Sequence, residues 1–197
     1  MRRSLTGAVL LLLIFCAYQG VAQSHVCGHD HVHDQSCGLI ALNENNFTFV
    51  PPPADYVPWE DRTVVISVNY TGFTVQAQTA FQYAVDIWAS VLSSNVPIVI
   101  NANFTGLTGG TLGFASAEDF RRNFAGAPLT DTWYPIALAN KLAGSDLANG
   151  FVDIDCTFNS NFTWYYGTDG NCPAGQYDFV TVVLHELCHG LGFLGFG

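Results

Sequence analysis

Positive charge is scarce in this sequence, with six Lys and Arg residues against 16 Asp and Glu residues. Two of the six, Arg2 and Arg3, lie at the very start, so the rest of the chain is strongly acidic. An acidic surface repels nucleic acid and anionic lipid. We therefore expect no nucleic-acid partner for this protein.

A long apolar run is also missing. The most apolar stretch, residues 7–18, is well short of the about 20 residues that a membrane-spanning helix needs. It follows a basic start and precedes the small residues Gly20-Val21-Ala22, an order typical of a secretory signal peptide. We predict a signal peptide over residues 1–23, a mature chain without a membrane span, and secretion.

Cysteine is used sparingly, and its use is compatible with export. The cysteines beyond the signal peptide are Cys27, Cys37, Cys156, Cys172 and Cys188. Disulfides between Cys156 and Cys172 and between Cys27 and Cys37 are plausible in a secreted protein and would leave Cys188 as a thiol. The spacing does not fix this connectivity.

Residues 24–58 differ in composition from the later part of the chain. They begin with a histidine-rich tract that contains His25, His29, His31 and His33, and they end in prolines 51–53 and 58. Such sequence seldom builds a core, so we interpret it as a leader, a propeptide or a linker. The tract could chelate metal or cap a catalytic zinc ion; alternatively it is a solvated tail closed by a Cys27–Cys37 bridge.

From residue 59 the sequence has the pattern of a folded domain. Alternating, β-branched segments predict strands over residues 63–70, 97–104 and 152–158. Near-helical apolar spacing predicts helices over residues 74–93 and 177–191. Shorter apolar segments lie at residues 112–115 and 134–142. Strands and helices in this order predict an α+β domain over residues 59–197.

The last predicted helix contains the main chemical motif, His185-Glu186-Leu187-Cys188-His189. Residues four apart share one helix face, so His185 and His189 can direct their imidazole nitrogens at one zinc ion. Glu186 is placed to take a proton from a zinc-bound water and pass it to a leaving amine. The alternative is a chance match, with two histidines that are solvated or packed in the core.

The segment from His185 to Phe193 resembles secreted bacterial metalloproteases that carry H-E-L-x-H-G-L-G-F. The longer pattern is similar to the metzincin signature H-E-x-x-H-x-x-G-x-x-H of the zincin metallopeptidases, with Gly192 matching its glycine. Gly195 stands where the third histidine would be, and Met1 is the only methionine, so the methionine-containing turn of that clan is absent. We expect the chain to be truncated at residue 197, its third zinc ligand to lie beyond Gly197, and the chain alone to be inactive.

This resemblance implies a zincin-like half-domain. Its expected features are a twisted mixed sheet packed on two helices, an active-site helix at the carboxyl end, and a substrate groove along the sheet's edge strand. In metzincins an extended peptide pairs with that edge.

Three weaker signals have open interpretations. Asp153, Asp155 and Asp169 could bind calcium or could be solvated carboxylates. The aromatic residues 164–166 could line a groove or pack in the core. Cys188 is expected to be a small thiol packed against the core rather than a ligand.

The sequence thus predicts a secreted zinc-dependent endopeptidase that acts on protein or peptide substrates. Its metal ligands are His185 and His189, and its catalytic base is Glu186. The alternatives are an exported binding or adhesion module with an accidental motif, and a zinc hydrolase with a non-peptide substrate. Cleavage specificity and oligomeric state leave no signal in the sequence.

Overall fold

The computed structural model describes residues 37–40, by their backbone alone, and residues 64–193. The predicted signal peptide, Cys27, the histidine-rich tract and Gly195 lie outside these residues. Within them the strands are β1 (Cys37–Ile40), β2 (Ile66–Thr71), β3 (Ile98–Thr105), β4 (Thr111–Ala117), β5 (Phe120–Arg121), β6 (Tyr134–Pro135), β7 (Ile154–Asn159), β8 (Trp164–Tyr165) and β9 (Tyr177–Asp178). The helices are α1 (Val75–Val91), α2 (Ile136–Ala143) and α3 (Phe179–Gly190).

Five strands form the main sheet, in the order β1-β4-β7-β3-β2. Strands β2, β3 and β7 are parallel, whereas β4 pairs antiparallel with β7 and β1 pairs antiparallel with β4. Strands β5 and β6 form one two-stranded sheet, and β8 and β9 form another. The sheet is therefore mixed, and the α+β prediction is confirmed.

Local sequence explains why these elements form. In β3 the buried positions alternate through Ile98, Ile100, Ala102 and Phe104, as expected for a strand with one face in the core. Helix α1 begins after Thr74, whose hydroxyl oxygen accepts a hydrogen bond from the Ala77 N–H at 3.2 Å. Apolar residues of α1 recur every three or four positions, so one side of the helix is buried.

An aromatic cluster fills the space between the sheet and the helices. Phe158 of β7 lies with its ring centroid 5.4 Å from that of Phe179, the first residue of α3, and 5.6 Å from that of Phe81 in α1. All three side chains are fully buried. The indole N–H of Trp88 also donates to the Leu184 carbonyl at 3.3 Å, which joins α1 to α3. The position of α3 is therefore set by packing against both the sheet and α1.

One expectation needs correction. The proposed disulfide between Cys156 and Cys172 is absent, because Cys156 is a free, buried thiol in β7 that donates to the Asn101 carbonyl, and Cys172 is free as well. Residues 37–40, which belong to the segment interpreted as a leader, propeptide or linker, form β1 and extend the main sheet. A four-residue strand is too short to be predicted from the periodicity of its sequence, and its partner strand is distant in the chain.

Candidate metal centre

Helix α3 places the motif against the sheet. The helix begins after Asp178, whose carboxylate accepts a hydrogen bond from the Thr181 N–H at 2.7 Å. Its apolar face is buried through Val180, Val183 and Leu187. The helix packs on β4, β7 and α1. The core thus holds the helix in one rotation about its axis, with the two histidines on the side away from Val180 and Val183.

His185 and His189 meet as the sequence predicts. Their Nε2 atoms are 3.0 Å apart, and their ring centroids are 4.7 Å apart with an angle of 83° between the ring planes. Two nitrogens bound to one tetrahedral zinc ion, each at about 2.0–2.1 Å, would be separated by about 3.3–3.4 Å. The pair therefore fits a shared zinc ion after a movement of a few tenths of an ångström.

A backbone carbonyl orients the second histidine. The Nδ1 atom of His189 lies 2.7 Å from the carbonyl oxygen of Phe193. A carbonyl only accepts, so we infer that Nδ1 carries the hydrogen and donates, which leaves the Nε2 lone pair of neutral His189 available to a metal. Donation from the other ring nitrogen to a carbonyl is the usual support of a metal-binding histidine.

Two glycines make this arrangement possible. Gly192 has a φ of 116°, which other residues rarely adopt, and its turn returns the chain so that the Phe193 N–H donates to the Cys188 carbonyl at 3.0 Å. Gly190 faces β7 at close range, because a Cβ atom there would lie 2.4 Å from Cγ2 of Ile154. Gly192 belongs to the signature noted in the sequence, but the Phe193 carbonyl was not predicted, since a backbone oxygen leaves no residue-specific signal.

Glu186 is fully buried, with 0% of its side chain exposed. Its negative charge also acts on β7, because the pKa of the Cys156 thiol is raised first by burial and then by the charges of Asp155 and Glu186. The carboxylate therefore lies in the low-dielectric region between α3 and the sheet. There a proton transfer would be screened little by bulk water.

A catalytic zinc site needs three protein ligands, and the sequence predicts only two of them, His185 and His189, among the described residues. No group of three His, Cys, Asp or Glu side chains suited to a metal occurs in residues 64–193. Gly195, the position of the third histidine in the pattern, lies outside the described residues. The location of the third ligand beyond Gly197 therefore stays a prediction.

The three aspartates considered for calcium have separate roles. Asp153 is buried and accepts hydrogen bonds from the Val99 N–H at 2.8 Å and from the Asn140 amide at 2.9 Å. Asp169 lies in an exposed turn, where the Tyr165 hydroxyl and the Asn171 N–H donate to its carboxylate. Asp153, Asp155 and Asp169 do not form a metal-binding group in the described part of the chain.

The aromatic segment that follows β7 packs against the core. Trp164 is buried, with its ring centroid 5.0 Å from that of Phe179, and its indole N–H donates to the Asn159 carbonyl at 2.7 Å. Tyr166 packs on the same phenylalanine at 5.3 Å. Trp164 and Tyr166 therefore pack on the first residue of α3. Cys188 is a half-buried thiol, and that it packs against the core rather than binding a metal stays a prediction.

Comparison with known proteins gives one match. A family model described as SPBPB7E8-like matches residues 131–195, a range that contains α2, α3 and the whole motif. These are 65 of the 197 residues, too few to establish membership of that family. No curated protein and no solved structure shows a significant match.

None of the helices in residues 64–193 is long and apolar enough to cross a membrane.

Proposed function

We propose that this chain is the zinc-binding part of a secreted endopeptidase. The observation that carries the proposal is the convergence of the His185 and His189 Nε2 atoms, 3.0 Å apart, on the helix that also holds Glu186. Zinc, when bound, would lower the pKa of a coordinated water and polarise a peptide carbonyl. A zinc ion would be held by His185, His189 and a third residue that completes the set.

The chain's own residues have separate tasks in this proposal. The Phe193 carbonyl keeps His189 in the tautomer whose Nε2 is a lone-pair donor. Glu186 accepts a proton from the attacking water and then gives it to the nitrogen of the leaving amine. Its burial excludes bulk water, so the proton stays between the carboxylate and the substrate.

Substitutions within α3 test the proposal in the full-length protein. We expect His185→Ala and His189→Ala to lose bound zinc. Glu186→Gln should keep zinc and the fold but lower hydrolysis of a protein substrate by about 10²–10⁴-fold, the usual contribution of a general base. Zinc is measured by elemental analysis after dialysis, and hydrolysis by release of labelled peptides from casein.

Cys188→Ser is the matched control, because it changes a side chain between the two histidines that we do not expect to bind metal. It should keep both zinc and activity. Unchanged hydrolysis in Glu186→Gln would refute the role of the base. Purified protein that binds no zinc would instead favour an exported binding module with an accidental motif, and activity on amide but not protein substrates would favour a non-peptide hydrolase.

A further inference from the structure

An exposed arginine lies at the start of the loop that joins β5 to β6, residues 122–133. Positive charge is rare in this domain, since residues 64–193 contain three Lys and Arg residues, and two of these, Arg121 and Arg122, are adjacent. The Arg121 guanidinium forms an ion pair with Asp119, so its charge is compensated. Arg122 is exposed and forms no ion pair within residues 64–193. Its guanidinium is therefore available to an anionic ligand.

The guanidinium of Arg122 is held over the indole ring of Trp133. Its Cζ atom lies 4.8 Å from the ring centroid, which is a cation–π contact across the base of the loop. The two residues directly follow and precede Arg121 and Tyr134, which pair in the β5–β6 ladder. The Trp133 side chain is nevertheless 57% exposed. Because the contact orients the guanidinium, less side-chain freedom is lost when its N–H donors bind a carboxylate in the two-pronged geometry that arginine favours.

The loop between these two residues is fixed by its own side chains. The Asn123 amide donates to the Asp131 carboxylate at 2.8 Å, and the Asp131 N–H donates to the Asn123 side-chain oxygen at 2.8 Å. Both residues have a φ of 55°, which is uncommon for residues other than glycine. The Leu129 N–H donates to the Tyr134 hydroxyl at 3.1 Å, and the Tyr134 ring packs on Phe124. The loop is therefore pre-organised, and the Asp131 carboxylate is used within it.

The base of the loop lies beside the end of the motif helix. Gly192, three residues after His189, faces β6, because a Cβ atom at Gly192 would lie 2.7 Å from Cγ of Pro135. The path from His189 through Gly192 and Pro135 to Trp133 adds up to about 15 Å, the span of about five residues of an extended peptide. A peptide whose scissile bond lies at the histidines can therefore reach Arg122 with another of its side chains.

We propose that Arg122, held over Trp133, is a specificity-determining residue that binds an acidic side chain of the peptide substrate, about four or five residues from the cleaved bond. This inference rests on the proposed peptidase function and adds its substrate class. The chain has 16 Asp and Glu residues against six Lys and Arg residues, so its overall field does not attract acidic peptides. Arg122 therefore selects the side chain at one position of the substrate and does not raise the affinity for acidic proteins in general.

The expected discrimination is modest because the guanidinium is exposed. An ion pair on a protein surface strengthens an interaction by up to about fivefold. Orientation by Trp133 places Arg122 at the upper end of this range, since less freedom is lost on binding. We therefore expect glutamate to be preferred over glutamine at the contacted position by about fivefold, and the preference to shrink as the salt concentration rises.

Peptide binding tests this without any catalytic step. Full-length protein carrying Glu186→Gln is titrated with fluorescent decapeptides of one sequence, in which a single glutamate replaces glutamine at each position in turn. The same titration is made with Arg122→Gln and with Lys141→Gln added. Lys141 is the matched control, because it is another exposed cation, lies in the last turn of α2, and its loss changes the net charge equally.

We expect the form with Glu186→Gln alone to bind glutamate at one position of the peptide about fivefold more tightly than glutamine. Arg122→Gln should abolish this preference and Lys141→Gln should keep it, whereas Arg122→Glu should prefer lysine at the same position. An absent preference, or one that persists in Arg122→Gln, overturns the proposal. A preference lost equally in Lys141→Gln also overturns it, because net charge alone would then explain the binding.

Tryptophan fluorescence gives a second measurement that locates the bound peptide. Binding of the preferred glutamate peptide should change the fluorescence of Trp133, and this change should be missing when Trp133→Phe is added. An equal change in the Trp133→Phe form would place the acidic side chain elsewhere and overturn the proposal.

Failure of this inference differs from failure of the proposed function. If the glutamate preference depends on Arg122 but the protein with Glu186 intact hydrolyses neither casein nor the peptides, the Arg122 subsite stands and the peptidase proposal fails. If that protein hydrolyses the peptides but glutamate changes neither their KM nor their binding, the peptidase stands and the role of Arg122 fails.

Discussion

Replacement of Gly190 by alanine examines how closely the motif helix is fitted to the sheet. A Cβ atom at residue 190 would lie 2.4 Å from Cγ2 of Ile154 and 3.0 Å from its Cδ1 and Cγ1 atoms. Favourable carbon–carbon contacts are about 3.5–4.0 Å, so α3 would have to move by about 1 Å or Ile154 would have to leave its rotamer. Ile154 is fully buried.

The cost follows from two opposing effects. Overpacking of a closed core costs about 1–3 kcal/mol. Alanine is a better helix former than glycine by up to about 1 kcal/mol, and the gain is smaller at residue 190 because the helix ends there. We therefore expect Gly190→Ala to lower the free energy of unfolding by about 1–2 kcal/mol. For a chain of this size that lowers the melting temperature by roughly 2–8 °C.

Urea unfolding followed by tryptophan fluorescence measures this change. The matched comparison is a double-mutant cycle with Ile154→Ala, which alone should cost about 2–5 kcal/mol by leaving a cavity. The new methyl group would partly fill that cavity, so the double variant should be more stable than the sum of the single losses by about 1–2 kcal/mol. Strict additivity, or a Gly190→Ala variant as stable as the parent, would refute the close approach of α3 to β7.

Two further predictions concern the caps and a buried carboxylate. Asp178→Ala removes the α3 cap, so it should lower the free energy of unfolding by about 1 kcal/mol and weaken zinc binding. Thr74→Ala removes the matched cap of α1, so it should cost a similar amount of stability but leave zinc affinity unchanged. Zinc affinity is measured by competition with a chelator. Equal zinc affinity in the two variants would contradict a role for the α3 start in holding the histidines. Asp153→Asn should cost about 1–3 kcal/mol at neutral pH by urea unfolding, because an amide cannot accept from both the Val99 N–H and the Asn140 amide. Burial is the main cause that raises the pKa of Asp153 in the folded protein. The stability that the protonated Asp153 side chain contributes is therefore fully present below the pKa of the unfolded chain, about 4, and is lost as the pH rises through the pKa of the folded protein. The difference between parent and Asp153→Asn should therefore be larger at pH 4 than at pH 7, and the opposite slope would contradict the raised pKa.

The local elements and the spacing of the motif could be predicted from the sequence alone. Periodicity was sufficient for α1, α3, β2, β3 and β7, since apolar residues in these segments recur with the helical repeat of 3.6 residues or alternate with the strand repeat of 2. The spacing of four residues was sufficient to place His185 and His189 together, because helix geometry is nearly independent of the rest of the fold. The glycine of the signature, Gly192, lies in the turn after the helix with a φ of 116°, which few other residues adopt.

The surroundings of the motif, by contrast, were set by tertiary contacts. The Phe193 carbonyl on His189, the approach of Gly190 to Ile154 and the burial of Glu186 are contacts that no local pattern encodes. Burial also changed the interpretation of Asp153 and of the Trp164 segment, whose polar atoms are satisfied inside the fold. The pairing of Cys37–Ile40 with β4 is the clearest contact that the local sequence does not predict. The two strands are 70 or more residues apart in the chain and meet only when it folds, and four residues carry too short a pattern to specify a partner strand.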